Sequence, residues 1–115
     1  MFFDYVRNDD LLIYAGDDRP ITWPLHAKDG SAVDLTGYHV HAQVRVTPDA
    51  ADVLHEWSDD AGNASLADSA VSLLVDDSES WTWADGVYDL HVIDPLGRHE
   101  VMAWGRVVVR PGVTR

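Results

Sequence analysis

No cysteine occurs among the 115 residues. Disulfides and thiolate metal sites are therefore excluded, and the fold must stand on its core alone. The absence fits assembly in a reducing cytosol. Lysine is nearly missing as well. Lys28 is the single one, and eight basic residues face 20 acidic ones, for a formal net charge of −12. A field of that sign repels phosphate backbones and anionic lipid, which argues against nucleic acid and membrane surfaces as partners. No apolar run approaches the roughly 20 residues that a membrane-spanning helix needs. The opening Met1-Phe2-Phe3-Asp4-Tyr5-Val6-Arg7 has no basic segment followed by an apolar stretch, so it does not read as a signal peptide. Also missing are a G-x-S-x-G elbow, an H-E-x-x-H pair, a P-loop and a cysteine nucleophile, so the chain reads as non-enzymatic and without a cofactor.

What remains is a chain of one-domain length whose apolar residues alternate. Leu11-Leu12-Ile13-Tyr14-Ala15 is a short run of β-formers stopped by Gly16-Asp17-Asp18. Ile21, Trp23, Leu25 and Ala27 alternate with Thr22, Pro24, His26 and Lys28. Pro24 cannot donate a ladder hydrogen bond, which places this strand at an edge or at a bulge. After Gly37 comes the longest alternation: Tyr38, Val40, Ala42, Val44 and Val46 face one way, and His39, His41, Gln43 and Arg45 the other. Pro48 ends it, Val53–Trp57 forms the next strand, and Ser58 through Ala64 has a turn composition. Ala70–Val75 is a further strand, and Ser78–Trp83 has room for a short helical turn capped by Asp76, Asp77 or Ser78. The last two strands form a hairpin through Asp94-Pro95-Leu96-Gly97, with Pro and Gly where a type I turn favours them. Gly105 interrupts the return strand, which predicts a bulge or the close approach of another backbone.

About seven strands at this spacing predict an all-β fold, an immunoglobulin-like antiparallel β-sandwich. Residues 1–10 are expected to form an N-terminal arm and 11–115 the single domain. The expected core is Ile13, Trp23, Leu25, Leu35, Val40, Val44, Leu54, Leu73, Tyr88, Leu90, Val92, Val101 and Val107, drawn from two facing sheets.

Three groups of side chains are candidates for function. His39 and His41 share a strand face, and His26 and His91 also point outward. Neighbouring strands would bring such imidazoles together for Zn or Ni. No third ligand is fixed by spacing, however, and no metal site is expected. Paired aspartates, Asp9-Asp10, Asp17-Asp18, Asp59-Asp60 and Asp76-Asp77, do not fit the calcium-loop spacing, and turn chemistry explains them. The five tryptophans are more distinctive. Trp23 belongs to the core. Trp57, Trp81, Trp83 and Trp104 lie near strand ends or in the expected helical turn, where exposed aromatics anchor protein interfaces or stack on sugars.

Several phrases follow one another along the strands and turns: Gly16-Asp17-Asp18, Asp29-Gly30, Val33-Asp34-Leu35-Thr36-Gly37, Gln43-Val44-Arg45, Gly86-Val87-Tyr88-Asp89-Leu90, Gly105-Arg106-Val107-Val108-Val109 and Val113-Thr114-Arg115. In this order they resemble the small immunoglobulin-like β-sandwich proteins of tailed bacteriophages. They are similar to the N-terminal domain of phage upper baseplate proteins and to tail-fibre connector sandwiches. The resemblance implies a non-enzymatic virion protein, assembled in the bacterial cytoplasm and used in multiple symmetric copies. Its expected partners are other virion proteins and copies of itself, at the tail tip, baseplate or fibre connection. A capsid-decorating or minor capsid protein, and a carbohydrate-binding module facing host glycan, are the alternatives.

Overall fold

The computed structural model describes residues 7–25, 27, 29–67, 69–75 and 78–113. The first six residues of the expected arm lie outside these, as do His26, Lys28, Asp76, Asp77, Thr114 and Arg115. The described residues form nine strands: β1 (Arg7–Asn8), β2 (Leu11–Tyr14), β3 (Ile21–Pro24), β4 (His39–Arg45), β5 (His55–Ser58), β6 (Ala64–Ala67), β7 (Ala70–Leu73), β8 (Asp85–Ile93) and β9 (His99–Arg110). The larger sheet runs β1-β9-β8-β4-β5, with β2 also paired to β9, and the smaller runs β3-β7-β6. This is an immunoglobulin-like sandwich. β3, β7 and β6 take the places of strands B, E and D, and β5, β4, β8 and β9 those of C′, C, F and G.

The expected strands arise where β-formers alternate. β4 shows the pattern most cleanly, with Val40, Ala42 and Val44 buried and His39, His41, Gln43 and Arg45 turned outward. Val46, expected inward, is exposed because β4 ends at Arg45 and the chain turns away. Among the described residues β3 pairs only with β7, so Pro24 sits on an edge. The sandwich is antiparallel except at one edge, where β1 and β2 run parallel to β9 in succession. Arg7 and Asn8, at the end of the stretch read as an arm, are thus already part of the sheet.

Two departures have local causes. Ala64–Ala67 forms β6, although Ala-Ser-Leu-Ala is poor in β-branched residues and the turn composition before it runs through Ala64. Its strand character comes from pairing with β7 across a tight hairpin in which Ser69 has φ 57°. In β9, Leu90 faces Ala103 but His91 faces Val101, so Met102 is an extra residue. This bulge reverses the alternation. Met102 and Ala103 both enter the core, and Val101, expected there, is only half-buried. Leu35 and Leu54 pack against the core from half-buried positions. The helical turn is a single 3₁₀ turn, Ser78–Ser80, that ends before Trp81. Ser78 is buried, and its Oγ accepts the Gly16 N–H at 2.9 Å.

The sheets are clasped at the β1–β2 junction. Asp9 donates its N–H to the Trp104 carbonyl (2.8 Å), accepts the Tyr88 hydroxyl on its own carbonyl, and accepts the Trp23 indole N–H on its carboxylate (2.8 Å). Trp23 lies in the smaller sheet and Tyr88 in the larger, so one residue ties both to the edge. Asp10 continues the ladder with its side chain, accepting the Arg106 N–H at 2.9 Å. Gly105 lies under this crossing. A Cβ there would sit 2.9 Å from the Asp9 carbonyl oxygen and 2.7 Å from Asp10 Oδ1, the close backbone approach that the interruption in β9 predicts.

Candidate functional site

The outward face of the larger sheet gathers most of the chemistry. One row across it follows the register: Glu56 on β5, Gln43 on β4, Asp89 on β8, Trp104 on β9 and Asn8 on β1. The neighbouring row places Arg45, Val87 and Arg106 side by side. Apart from Glu56, these residues line a groove of about 690 Å³. Its walls are held by the protein itself. Gln43 accepts from Arg45 (2.9 Å) and donates to Glu56 (2.6 Å), while Arg45 also donates to the Ala50 and Ala51 carbonyls (2.7 and 3.0 Å). Hydrogen bonds from Gln43 and His41 hold the Glu56 carboxyl below its ordinary range. The Arg106 guanidinium makes no hydrogen bond or ion pair among the described residues. Trp104 beside it is 48% exposed.

The other tryptophans divide. Trp57 has no exposed surface, and its indole N–H donates to the Leu74 carbonyl at 2.8 Å. It was a candidate for an interface; opposite the small Ala42, it fills the core instead. Trp81 and Trp83 are half-buried and stacked, with ring centroids 5.3 Å apart and 14° between planes. They follow the 3₁₀ turn in extended chain, where i and i+2 share a side. His55 joins them, 4.3 Å from Trp81 and 4.5 Å from Trp57 between ring centroids. This aromatic patch flanks β5, whose sole ladder partner among the described residues is β4.

The histidines do not converge as one cluster. His39 Nδ1 lies 2.7 Å from Asp59 Oδ2, and His41 Nε2 lies 2.7 Å from Glu56 Oε2. His91 faces His41 in the register but contacts Asp89 (3.2 Å) and His99 (3.1 Å between Nδ1 atoms). His26 falls outside the described residues. Donor atoms of His39, Asp59 and Asp60 lie within 4.8 Å of one another, yet both Asp59 oxygens are engaged, one by His39 and the other by the Val40 N–H. The sequence pairs Asp17-Asp18 and the phrase around Asp34 are turn chemistry: Asp17 holds Arg19, and Asp34 accepts from the Thr36 N–H and hydroxyl.

The His39–Asp59 pair carries a pH dependence. The Asp59 hydrogen bond and charge raise the imidazole above its ordinary 6.5. Burial pushes the Asp59 carboxyl up, but His39 and the Val40 N–H outweigh it and leave the carboxyl below its ordinary 3.8. A raised histidine contributes fully below its unfolded value and loses that contribution as pH rises through the folded one. A lowered aspartate contributes fully above its unfolded value. The pair therefore stabilises most between about pH 4 and 6.5. The difference in urea midpoint between the wild type and His39→Gln should be largest in that window and shrink above it. A difference constant from pH 5 to 9 would refute the pair.

No model of a known protein family matches the chain, and no curated protein matches it.

Proposed function

We propose that this chain is a non-enzymatic structural protein of a tailed-phage virion, placed at the tail tip, baseplate or fibre connection. The observation that carries the reading is the ordered set of phrases that resembles phage β-sandwich proteins. Of those phrases, Gly16-Asp17-Asp18 follows β2 and Val33–Gly37 leads into β4, while Gly86–Leu90 lies within β8 and Gly105–Val109 within β9. The fold supports such a role by offering edge strands at β5 and β6 among the described residues, the outer side of β5 bonded in part by the Asn63 side chain, together with exposed Trp104. Its partners are other virion proteins and symmetry copies of itself, and many copies convert a weak contact into a strong one through effective concentration. The net charge of −12 disfavours packaged nucleic acid as the partner.

The test is mass spectrometry and antibody labelling of purified particles from the phage or induced prophage that encodes the chain. Label at the tail end, in fixed stoichiometry, is the expected result. Label over the head would move the protein to capsid decoration. Absence from particles would end the virion reading altogether.

A further inference from the structure

We infer that the groove on the outward face of the larger sheet binds a neutral oligosaccharide through Trp104. Its volume, about 690 Å³, falls within the roughly 300–1,000 Å³ typical of ligand pockets. Trp104 presents an aromatic surface that is 48% exposed on a strand. A rigid indole offers large contact area at low entropic cost, and it stacks on the C–H face of a pyranose ring. Around it stand planar polar groups from separate strands: the Asp89 carboxylate opposite on β8, the Arg106 guanidinium two residues along β9, and the Asn8 amide on β1. Such groups accept from and donate to neighbouring hydroxyls in pairs.

The charge of the groove selects the ligand class. Its lining sets two arginines, Arg45 and Arg106, against two aspartates, Asp10 and Asp89. The whole chain carries −12. A groove with balanced charge on an acidic protein suits a hydroxyl-rich neutral ligand better than a polyanion or a polycation. Apolar surface from Trp104, Val87, Tyr88 and Pro48 makes up the larger share of the lining, with a few convergent polar groups among it, as in ligand pockets generally. Preorganisation favours binding as well. Gln43 and Arg45 are held in place by the bonds described above.

The experiment is an array of neutral oligosaccharides (glucose, galactose, mannose and N-acetylhexosamine polymers) probed with the full chain, followed by calorimetry on the best binder. Trp104→Ala should weaken binding roughly tenfold or more, as expected of an aromatic anchor. Trp104→Phe should restore part of it, and Trp83→Ala should leave it unchanged. Affinity should be insensitive to salt, because no net charge is neutralised. No binding at millimolar oligosaccharide, binding that survives Trp104→Ala, or binding confined to acidic glycans would each overturn the proposal. A urea midpoint for each variant confirms that a loss is not unfolding. The result is independent of whether the chain is found in virions.

Discussion

Trp57→Ala is expected to destabilise the domain by about 3–5 kcal/mol, the usual cost of truncating a buried tryptophan. Trp57 has no exposed surface, and its indole N–H donates to the Leu74 carbonyl just beyond β7. The side chain thus joins the edge of the larger sheet to the smaller one. Truncation leaves a large cavity opposite Ala42, too small to fill it, and deprives the Leu74 carbonyl of its donor. A loss of this size is a large share of the roughly 5–15 kcal/mol that holds a domain together. Trp57→Phe keeps most of the volume and removes the donor, so it should cost about 1–2 kcal/mol. Urea unfolding of the two variants measures both. A Trp57→Ala cost below about 1 kcal/mol would show that this residue is not a core anchor. The stacked Trp81 and Trp83 pack beside it through His55, so their near-UV signal should change in the same variant.

The second large effect is at Asp9. Asp9→Ala should cost about 1.5–3 kcal/mol, since a hydrogen bond to a charged group contributes that much and the indole of Trp23 is left without its acceptor in the core. The backbone bonds of Asp9 to Trp104 and Tyr88 survive the substitution, so the edge should loosen rather than detach. Amides of β1 and β2 should exchange faster than those of β4 or β8. Trp23→Phe removes the other half of the bond. The double variant should therefore lose clearly less than the sum of the two singles. Strict additivity would mean that the bond contributes nothing.

The sequence made some of this plain and hid the rest for physical reasons. The long alternation of β4 and the Asp94–Gly97 turn are local signals, and both are seen at the expected places. Pro24 and Gly105 were readable because each is chemically restrictive: one cannot donate, and the other leaves room for a neighbour. β6 was hidden because its strand character comes from β7 and not from its own residues. The bulge at Met102 was hidden because a shift of one residue leaves composition unchanged while exchanging the faces. The same limit applies to tryptophan. Nothing local separates buried Trp57 from exposed Trp104, and only the sheet assigns them to opposite faces. The Asp9 clasp joins residues 14 and 79 positions apart, and a paired aspartate before an apolar run gives no hint of it.

The parallel edge formed by β1, β2 and β9 has a mechanical consequence. Arg7 pairs with Ala103 at one end of this ladder, and Tyr14 pairs with Arg110 at the other. Tension transmitted along the chain through the domain pulls β1 and β2 past β9 lengthwise. Every hydrogen bond between them is then loaded in shear at once, and none can be opened singly as in the unzipping of a hairpin.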